Sequence, residues 1–404
     1  MKKYIEKNKT VKIIETVVAI LLFIGAIFFL VSGFMNAYKD PGNFTFKEEV
    51  TMVQSEDNEC DSDEQSVCEI TYIDAEDNEY VKKIDAEEYE DLAEEITLYV
   101  YETSNYDYIY AESKNVSQSE LYDAYHTQML NENMVTINIG SALLLLAISV
   151  VVMCVFGGFF TTYEKSWFLS IMVLATIFAI LFPEESANGV NGCIIMGLYL
   201  LDTFLNILCE LLISKQSRWN FIVSIGVELT EILICVVLMY RFATMATTLF
   251  FWLPIDIASF VMWSKNKDKD DDELTVVKRL TGWQEVLVLI GIGVWTIVLG
   301  YFISGLNIQT DFINNHSLET AIIYIDACAS AVGVANGLFI FFRLREQWIA
   351  WYICAILEAV INIMSGQYVL LILKLGYITN TTYGYIKWTK YIKSHAKIKE
   401  IGNN

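Results

Sequence analysis

The segment "REQWIAWYICAILEAVINI", residues 345–363, has the length and apolar character of a transmembrane helix. It nevertheless contains Trp348, Trp351, Glu358 and Asn362. An ionisable side chain at the middle of a membrane helix costs about 2.5–3.5 kcal/mol on insertion scales, so it is expected to face a polar pathway or a partner. The segment therefore predicts a membrane fold and a functional surface on this helix.

The composition of the chain also indicates a polytopic membrane protein. Its 404 residues are 54% hydrophobic with a mean hydropathy of +0.41, and only 3 are proline. The formal charge of −22 lies within residues 36–134, where 27 acidic residues accompany 5 basic ones. Because this excess charge is negative, nucleic acid is not an expected partner.

Apolar runs of about 20 residues predict ten transmembrane helices. They are residues 12–35, 135–160, 167–183, 190–213, 219–240, 244–263, 284–306, 319–342, 347–364 and 367–387. The first run has a lysine-rich start, but it is too long for a signal peptide and no A-x-A cleavage site follows it. We therefore expect an uncleaved membrane anchor.

The basic residues predict the orientation of these helices. They mark the N-terminus, the loops around Lys215, residues 265–279 and Arg343, and the C-terminal tail, whereas the opposite loops carry none. By the positive-inside rule, both termini are expected in the cytoplasm and residues 36–134 outside it.

Residues 36–134 are expected to form a small β-rich domain. Five short runs, from "FTFKEEVTMV" to "YDYIYAE", are typical of strands, and "SQSELYDAYHTQML" is typical of a helix with a serine cap. The domain is either a binding or assembly module or simply a solvated cap. Cys60 and Cys68 could form a disulfide if the domain faces an oxidising exterior, and the sequence leaves this open. The other cysteines are scattered and the histidines do not cluster, so no zinc site or cofactor is expected.

Residues 206–240 and 336–368 share a pattern that indicates an internal repeat. In each, an asparagine is followed by a short basic loop, a tryptophan and a deeper glutamate. The aligned pairs are Asn206 with Asn336, Trp219 with Trp348, and Glu228 with Glu358. One helix separates the two units, so they have the same orientation, as in transporters with a two-fold axis along the membrane normal.

The predicted fold is thus an all-α polytopic membrane protein whose core has three, one and three helices, with a small β-rich extracytoplasmic domain. The predicted divisions are an N-terminal helix (1–35), the acidic domain (36–134), two accessory helices (135–183), a first three-helix repeat (190–264), a cytoplasmic loop and linker helix (265–306), a second three-helix repeat (319–390) and a basic cytoplasmic tail (391–404).

Three stretches resemble the PnuC family of bacterial vitamin transporters, over about residues 190–390. They are "YIDACASAVGVANGLFIFFRLREQWIAW" (324–351), "LFFWLPIDIASFVMW" (249–263) and "YGYIKW" (383–388). The resemblance implies the fold of SWEET transporters, a bacterial plasma membrane, and facilitated uptake of nicotinamide riboside or of a related thiamine, riboflavin or nucleoside substrate. It also implies a homotrimer and a cytoplasmic kinase that traps the substrate.

The sequence departs from the family pattern at three positions. Ala355 stands where the family usually has Asn or Asp, Asp256 where it often has Gln, and Thr248 where Asn is usual. The fold implied by the resemblance does not depend on these side chains, whereas the identity of the substrate does.

Substrate-binding residues are expected among the polar and aromatic side chains of the core. Helical spacing places Trp351, Glu358 and Asn362 on nearly the same face of one helix. The full set of candidates is Asn206, Glu228, Thr248, Trp252, Asp256, Asp326, Asn336, Trp351, Glu358 and Asn362. The carboxylates lack obvious basic partners in the sequence, which suits a cationic aromatic substrate held by carboxylates and by cation–π contacts with indoles.

Some of these residues have simpler interpretations. Trp348 and Trp388 are predicted to be anchors at the membrane interface. Glu228 and Glu231 could instead be protonated and hydrogen-bonded between helices. Asp326 is expected either at an entrance or in a structural bond, and Asn206 and Asn336 either along the pathway or paired across the axis.

Two other classes of function compete with a transporter. A membrane enzyme would need a nucleophile and base or a metal site, and no HExxH, GxSxG or P-loop pattern occurs in the sequence. A sensor or adhesion protein would bind its ligand through residues 36–134, so deleting that domain would abolish its function.

Overall fold

The computed structural model describes residues 9–55, 67–74, 79–85, 93–184, 186, 190–239, 241–266, 278–305 and 316–402. It is mostly helical with one small β-sheet. Nine helices within these ranges are long and apolar enough to cross a membrane. The tenth predicted span, 367–387, lies in a further helix that is not among these nine. A multi-pass helical protein with a small β domain is thus confirmed.

The helices are numbered in chain order. They are α1 (Lys9–Ala37), α2 (Gln118–Glu132), α3 (Met134–Val155), α4 (Thr162–Leu181), α5 (Gly192–Ser214), α6 (Asn220–Leu238), α7 (Phe242–Thr247), α8 (Leu253–Lys265), α9 (Gly282–Ser304), α10 (His316–Phe341), α11 (Gln347–Met364) and α12 (Tyr368–Gly402).

The acidic insert contains an antiparallel sheet, as its alternating pattern predicted. The strands are β1 (Thr45–Gln54), β2 (Val67–Ile73), β3 (Glu79–Asp85), β4 (Glu95–Glu102) and β5 (Tyr108–Ala111), in the order β3-β2-β1-β4-β5. Register is fixed by pairs such as Val50 with Leu98 and Tyr101 with Ile109. Cys60 lies outside the described residues, and so does its predicted pairing with Cys68.

Helix α2 joins this sheet to the membrane helices. It begins with the predicted serine cap: Glu120 N donates to Ser117 Oγ at 3.2 Å, and Ser117 N donates to Glu120 Oε2 at 2.9 Å. Its buried face, including Leu121 and Tyr125, packs on strands β4 and β5. The sheet is therefore held next to the C-terminal end of α1 and the N-terminal end of α3.

The predicted span 244–263 is interrupted rather than a single α-helix. Helix α7 is followed by a π-helical turn over Thr248–Trp252, and α8 begins at Leu253 with Pro254 in its first turn. Proline has no N–H to bond the carbonyl four residues earlier, so a break in the regular ladder is expected there. Such π-helical turns occur frequently at functional sites.

The helices from α5 to α12 enclose the core. Helix α5 packs against α6 and α12, α10 packs against α11 and α8, and α8 also contacts α6. Helix α9 packs on α10 and leaves most of its apolar side chains exposed, as expected of a lipid-facing helix. Helices α1, α3 and α4 lie to one side, where α3 and α4 contact α5 and α4 also contacts α12.

Four aromatic side chains form what we call the tryptophan cluster: Phe221, Trp263, Trp348 and Trp388. The ring centroids of Phe221 and Trp263 are 5.1 Å apart, those of Trp263 and Trp388 6.1 Å, and those of Trp348 and Trp388 5.6 Å. Trp348 and Trp388 are both 0% exposed. The prediction that these two residues anchor the protein at the membrane interface is therefore wrong, because the helices that carry them pack their indoles against each other.

The short basic loops of the two predicted repeat units adopt the same turn. Gln216 and Arg343 both have positive φ, at 57° and 62°. Ser217 N donates to Leu212 O at 3.1 Å, and Leu344 N donates to Phe339 O at 2.7 Å, so each bond spans five residues. Matched helix-ending turns of this type support the proposed repeat.

These turns also change the residue correspondence. Counted from the left-handed residue of each turn, Phe221 stands level with Trp348 and Glu231 with Glu358. The sequence alignment had instead paired Trp219 and Glu228 with those residues, because it was anchored on the identity of the tryptophans. Trp219 is 56% exposed, whereas Phe221 is buried like Trp348, which agrees with the correspondence set by the turns.

Candidate functional site

A cavity lies among helices α5 to α8 and α10 to α12. It contains about 1120 Å³ of space not filled by protein atoms, a volume that includes its opening to solvent. The predicted site residues that line it are Asn206, Glu228, Trp252, Asp256, Asn336, Trp351 and Glu358. The predicted residues that do not line it are Thr248, Asp326 and Asn362.

Trp351 and Asn336 form one wall of the cavity. With the Asn336 amide turned to satisfy both neighbours, its oxygen accepts from Trp351 Nε1 at 2.7 Å and its nitrogen donates to Gln347 O at 3.0 Å. The Trp351 ring packs edge-on against Tyr377, with centroids 4.8 Å apart. These contacts fix the orientation of the indole, as a binding surface requires.

The same wall continues across to α5. The hydroxyl of Tyr377 donates to the side-chain oxygen of Asn206, and Asn206 Nδ2 donates to Asp202 Oδ1 at 2.9 Å. Thr230 Oγ1 also donates to Asp202 Oδ1, at 3.1 Å. Asn206 and Asn336 therefore line the cavity, each bonded to a neighbouring side chain rather than to the other.

Glu358 is the centre of an ion-pair network. Arg241 Nη2 lies 3.2 Å from Glu358 Oε1, and Lys374 Nζ contacts Glu358 Oε2. The expectation that the cavity carboxylates lack basic partners is thus wrong for Glu358. Both cations come from other elements, Arg241 from the junction before α7 and Lys374 from α12, so neither contact follows from helical spacing within α11.

Asp326 has a structural role at the α6–α7 junction. Its Oδ2 accepts from the backbone N–H groups of Ala243 and Thr244, at 3.1 and 3.3 Å, and its Oδ1 accepts from the Thr244 hydroxyl. Arg241 Nε lies 3.8 Å from Asp326 Oδ1. A carboxylate bound to the first N–H groups of a helix satisfies donors that have no partner within that helix. Of the two alternatives left open for Asp326, the structural bond is the one observed.

The other two predicted residues outside the cavity are also buried. Thr248 Oγ1 donates to Glu231 Oε2 at 2.9 Å and so fixes a carboxylate that does line the cavity. Asn362 is 0% exposed, and its side-chain amide has no hydrogen-bond partner among the described residues. Asn362 follows Glu358 by four residues on the same helix, as predicted, but only Glu358 lines the cavity.

Glu228 and Asp256 both line the cavity and share a neighbour, Ser224. They are 5% and 3% exposed. Ser224 Oγ lies 3.3 Å from Glu228 Oε1 and also interacts with the Asp256 carboxylate. Trp252, four residues before Asp256, also lines the cavity, and its indole packs against Gly333 and Gly337 of α10.

Several cavity residues were missing from the set predicted from the sequence. The most informative are Asp202, Arg241, Lys374 and Tyr377. Lys374 interrupts the apolar run 367–387, and an intramembrane cation is itself a signal of a functional position. For Tyr377 no comparable signal exists, because a tyrosine in a membrane helix is common.

The similarity to known proteins lies in the part of the chain that forms the cavity. Residues 197–390 match the family model described as the nicotinamide mononucleotide transporter. The nicotinamide riboside transporter PnuC of Neisseria mucosa is 25% identical over 254 residues, which is 60% of this chain and 86% of that protein. The protein of the same name from Haemophilus influenzae is 24% identical over 238 residues, which is 57% of this chain and 91% of that protein.

One solved structure is also similar. It is the crystal structure of the vitamin B3 transporter PnuC, which is 21% identical and covers 58% of this chain and 94% of its own chain, with a TM-score of 0.46. The family model spans α6 to α11, nearly all of α5 and the part of α12 that precedes the tail, and it therefore includes every residue described above as lining the cavity.

Proposed function

We propose that this chain is a membrane transporter of the PnuC family, which it resembles over residues 197–390, and that it carries nicotinamide riboside, or a similar cationic aromatic vitamin, by facilitated diffusion. It is a transporter rather than an enzyme. The substrate is proposed because the relatives from Neisseria mucosa and Haemophilus influenzae are named for nicotinamide riboside. Thiamine, riboflavin and nucleosides are the alternatives within the same fold.

The observation that carries the proposed substrate class is the lining of the cavity. Two indoles, Trp252 and Trp351, and the carboxylates of Glu228 and Asp256 face one space. Indole faces attract cations, and carboxylates in a medium of low dielectric constant favour a positive ligand. The pyridinium of nicotinamide riboside matches this lining, whereas the phosphate of a mononucleotide would be repelled by the carboxylates.

The wider organisation is part of the same proposal. The matched turns at Gln216 and Arg343 support two three-helix repeats, 190–264 and 319–390, with the pathway between them. The positive-inside pattern supports cytoplasmic termini and an extracytoplasmic acidic domain in a bacterial plasma membrane. A homotrimer and a trapping kinase in the cytoplasm are proposed from the family resemblance alone.

The test is uptake into liposomes that contain the purified protein. The panel comprises labelled nicotinamide riboside, thiamine, riboflavin, uridine and nicotinamide mononucleotide. Saturable uptake of the cationic compounds is expected, with little uptake of the mononucleotide. Trp351→Ala should weaken apparent affinity about tenfold, because a buried cation–π contact contributes about 1–2 kcal/mol.

The matched control is Trp283→Ala. Trp283 lies on α9, is 70% exposed and does not line the cavity, so the same loss of an indole should leave uptake unchanged. If the protein takes up no compound of the panel, the proposal is refuted. If both tryptophan variants reduce uptake equally, the assignment of the cavity as the pathway is refuted instead.

A further inference from the structure

The carboxylates of the cavity fall into two groups with different surroundings. Glu358 is neutralised by Arg241 and Lys374, as described above. Among the described residues, neither Glu228 nor Asp256 forms an ion pair, and Glu228 Oε2 and Asp256 Oδ2 have no hydrogen-bond partner. Both side chains are more than nine-tenths buried and line the cavity, so their free oxygens are available to a ligand there.

The other ionisable groups around the cavity do not compensate this pair. Glu231 and Asp202 add negative charge, and both lie within electrostatic reach of Arg241 and Lys374. The ionisable groups that share the cavity with the pair are Asp202 and Cys209 of α5, Glu231 and Cys235 of α6, Arg241 before α7, Cys354 and Glu358 of α11, and Lys374 and Tyr377 of α12. The two cations of the cavity are outnumbered by its carboxylates, and the ion pairs that they form are with Glu358 and Asp326.

Two carboxylates that share a buried site cannot both ionise without a large electrostatic cost. A positive charge placed between them removes that cost, and so does a proton. Trp252 lies one helical turn before Asp256, so the planar ring of an aromatic cation can stack on the indole while its charge lies near the carboxylates. The pair and the indole together suit a positively charged heteroaromatic ring.

Resting on the function proposed above, we propose that Glu228 and Asp256 form the subsite that receives the positive charge of the substrate, and that they share a proton when no substrate is bound. On binding, the carboxyl O–H bond breaks, the proton passes to water and the carboxylate pairs with the cation. No bond to the substrate forms or breaks. The subsite therefore selects for charge, whereas the Trp351 wall selects for an aromatic shape.

Nicotinamide riboside and its dihydro form provide the sharpest test. Reduction of the ring removes the pyridinium charge and changes the size of the molecule little. The wild-type protein should bind the cationic form about tenfold more tightly than the neutral form, which corresponds to one charge contact of about 1.4 kcal/mol. In the double variant Glu228→Gln with Asp256→Asn, which keeps the shape of both side chains and leaves no carboxylate in the pair, this preference should disappear while affinity for the neutral form is retained.

Acidity provides a second readout of the same subsite. In the wild type, affinity for the cation should fall on acidification, by up to about tenfold for each pH unit if one proton competes. Affinity for the neutral form should not depend on pH, and Asp256→Asn should flatten the profile for the cation. Asp123→Asn, an exposed aspartate of α2, is the matched control and should behave as wild type.

The outcomes separate this inference from the proposed function. Uptake of both forms with equal affinity and with the same pH profile in the wild type would overturn the inference and leave the transporter standing. Uptake of neither form, nor of any other compound in the panel, would overturn both. The comparison of the two forms on the wild type needs no variant, so it decides the question even if Asp256→Asn and Glu228→Gln do not fold.

Discussion

The substitution Lys374→Met removes one of the two cations that neutralise Glu358. Lys374 and Glu358 have side chains only 7% and 12% exposed, and the ammonium also lies 4.8 Å from the centre of the Tyr377 ring. Methionine keeps the length and the apolar stem of the side chain. The change therefore deletes a charge while leaving the packing of α12 against α11 nearly intact.

Removing one partner of a buried ion pair typically destabilises a protein by about 3–5 kcal/mol, because the remaining charge is left without compensation. Arg241 Nη2 stays 3.2 Å from Glu358 Oε1, so the lower end of this range is expected. The double variant Lys374→Met with Glu358→Gln should recover part of the loss, because a neutral amide needs no cation. Non-additivity of this kind is what a direct interaction between the two residues predicts.

The measurement is thermal unfolding of the detergent-purified single and double variants. Lys265→Met is the matched control, since Lys265 is exposed at the end of α8 and forms no ion pair among the described residues. A melting temperature for Lys374→Met equal to that of Lys265→Met would refute the buried network. Strictly additive losses in the double variant would show that Lys374 and Glu358 do not interact.

Two further predictions concern other parts of the chain. Asn36 Nδ2 lies 3.4 Å from Asn133 Oδ1, so a short Gly-Ser linker can replace residues 38–132. Uptake by this variant should be retained. Loss of uptake with correct membrane insertion would favour a ligand-binding role for the acidic domain. Gly384→Ala should lower the melting temperature, because its Cβ would lie closer than 3.0 Å to an indole of the tryptophan cluster. Gly291→Ala, whose Cβ would meet no atom within 4 Å, is the control. Equal melting temperatures for the two variants would contradict the packing described.

Much of the fold followed from short-range patterns in the sequence. Alternation of polar and apolar residues predicted the strands of the acidic domain, and the spacing of Ser117 and Glu120 matched the cap of α2. Apolar runs predicted nearly all of the membrane helices. These features can be predicted because the side-chain period of a strand or helix, and the cap of a helix, depend on residues that are close in sequence.

The pairing of charges could not be predicted in this way. Helical spacing related Glu358 to Asn362, which are on one helix, but it carried no information about Arg241 or Lys374 on other elements. The error for Trp348 and Trp388 has the same origin: an indole near the cytoplasmic boundary can face lipid or a neighbouring helix, and only packing decides between them. Contacts between helices are the part of the site that could not be predicted from the sequence.

Residues at matched positions of α12 and of the segment that ends in α8 differ in charge. Counted back from Trp263 and Trp388, Trp252 stands level with Tyr377, and Asp256 stands level with Thr381. Both segments thus provide an aromatic ring, whereas only one provides an uncompensated carboxylate at the matched position. A substrate with a charged ring and a neutral sugar would be oriented by this difference, with its ring toward Asp256.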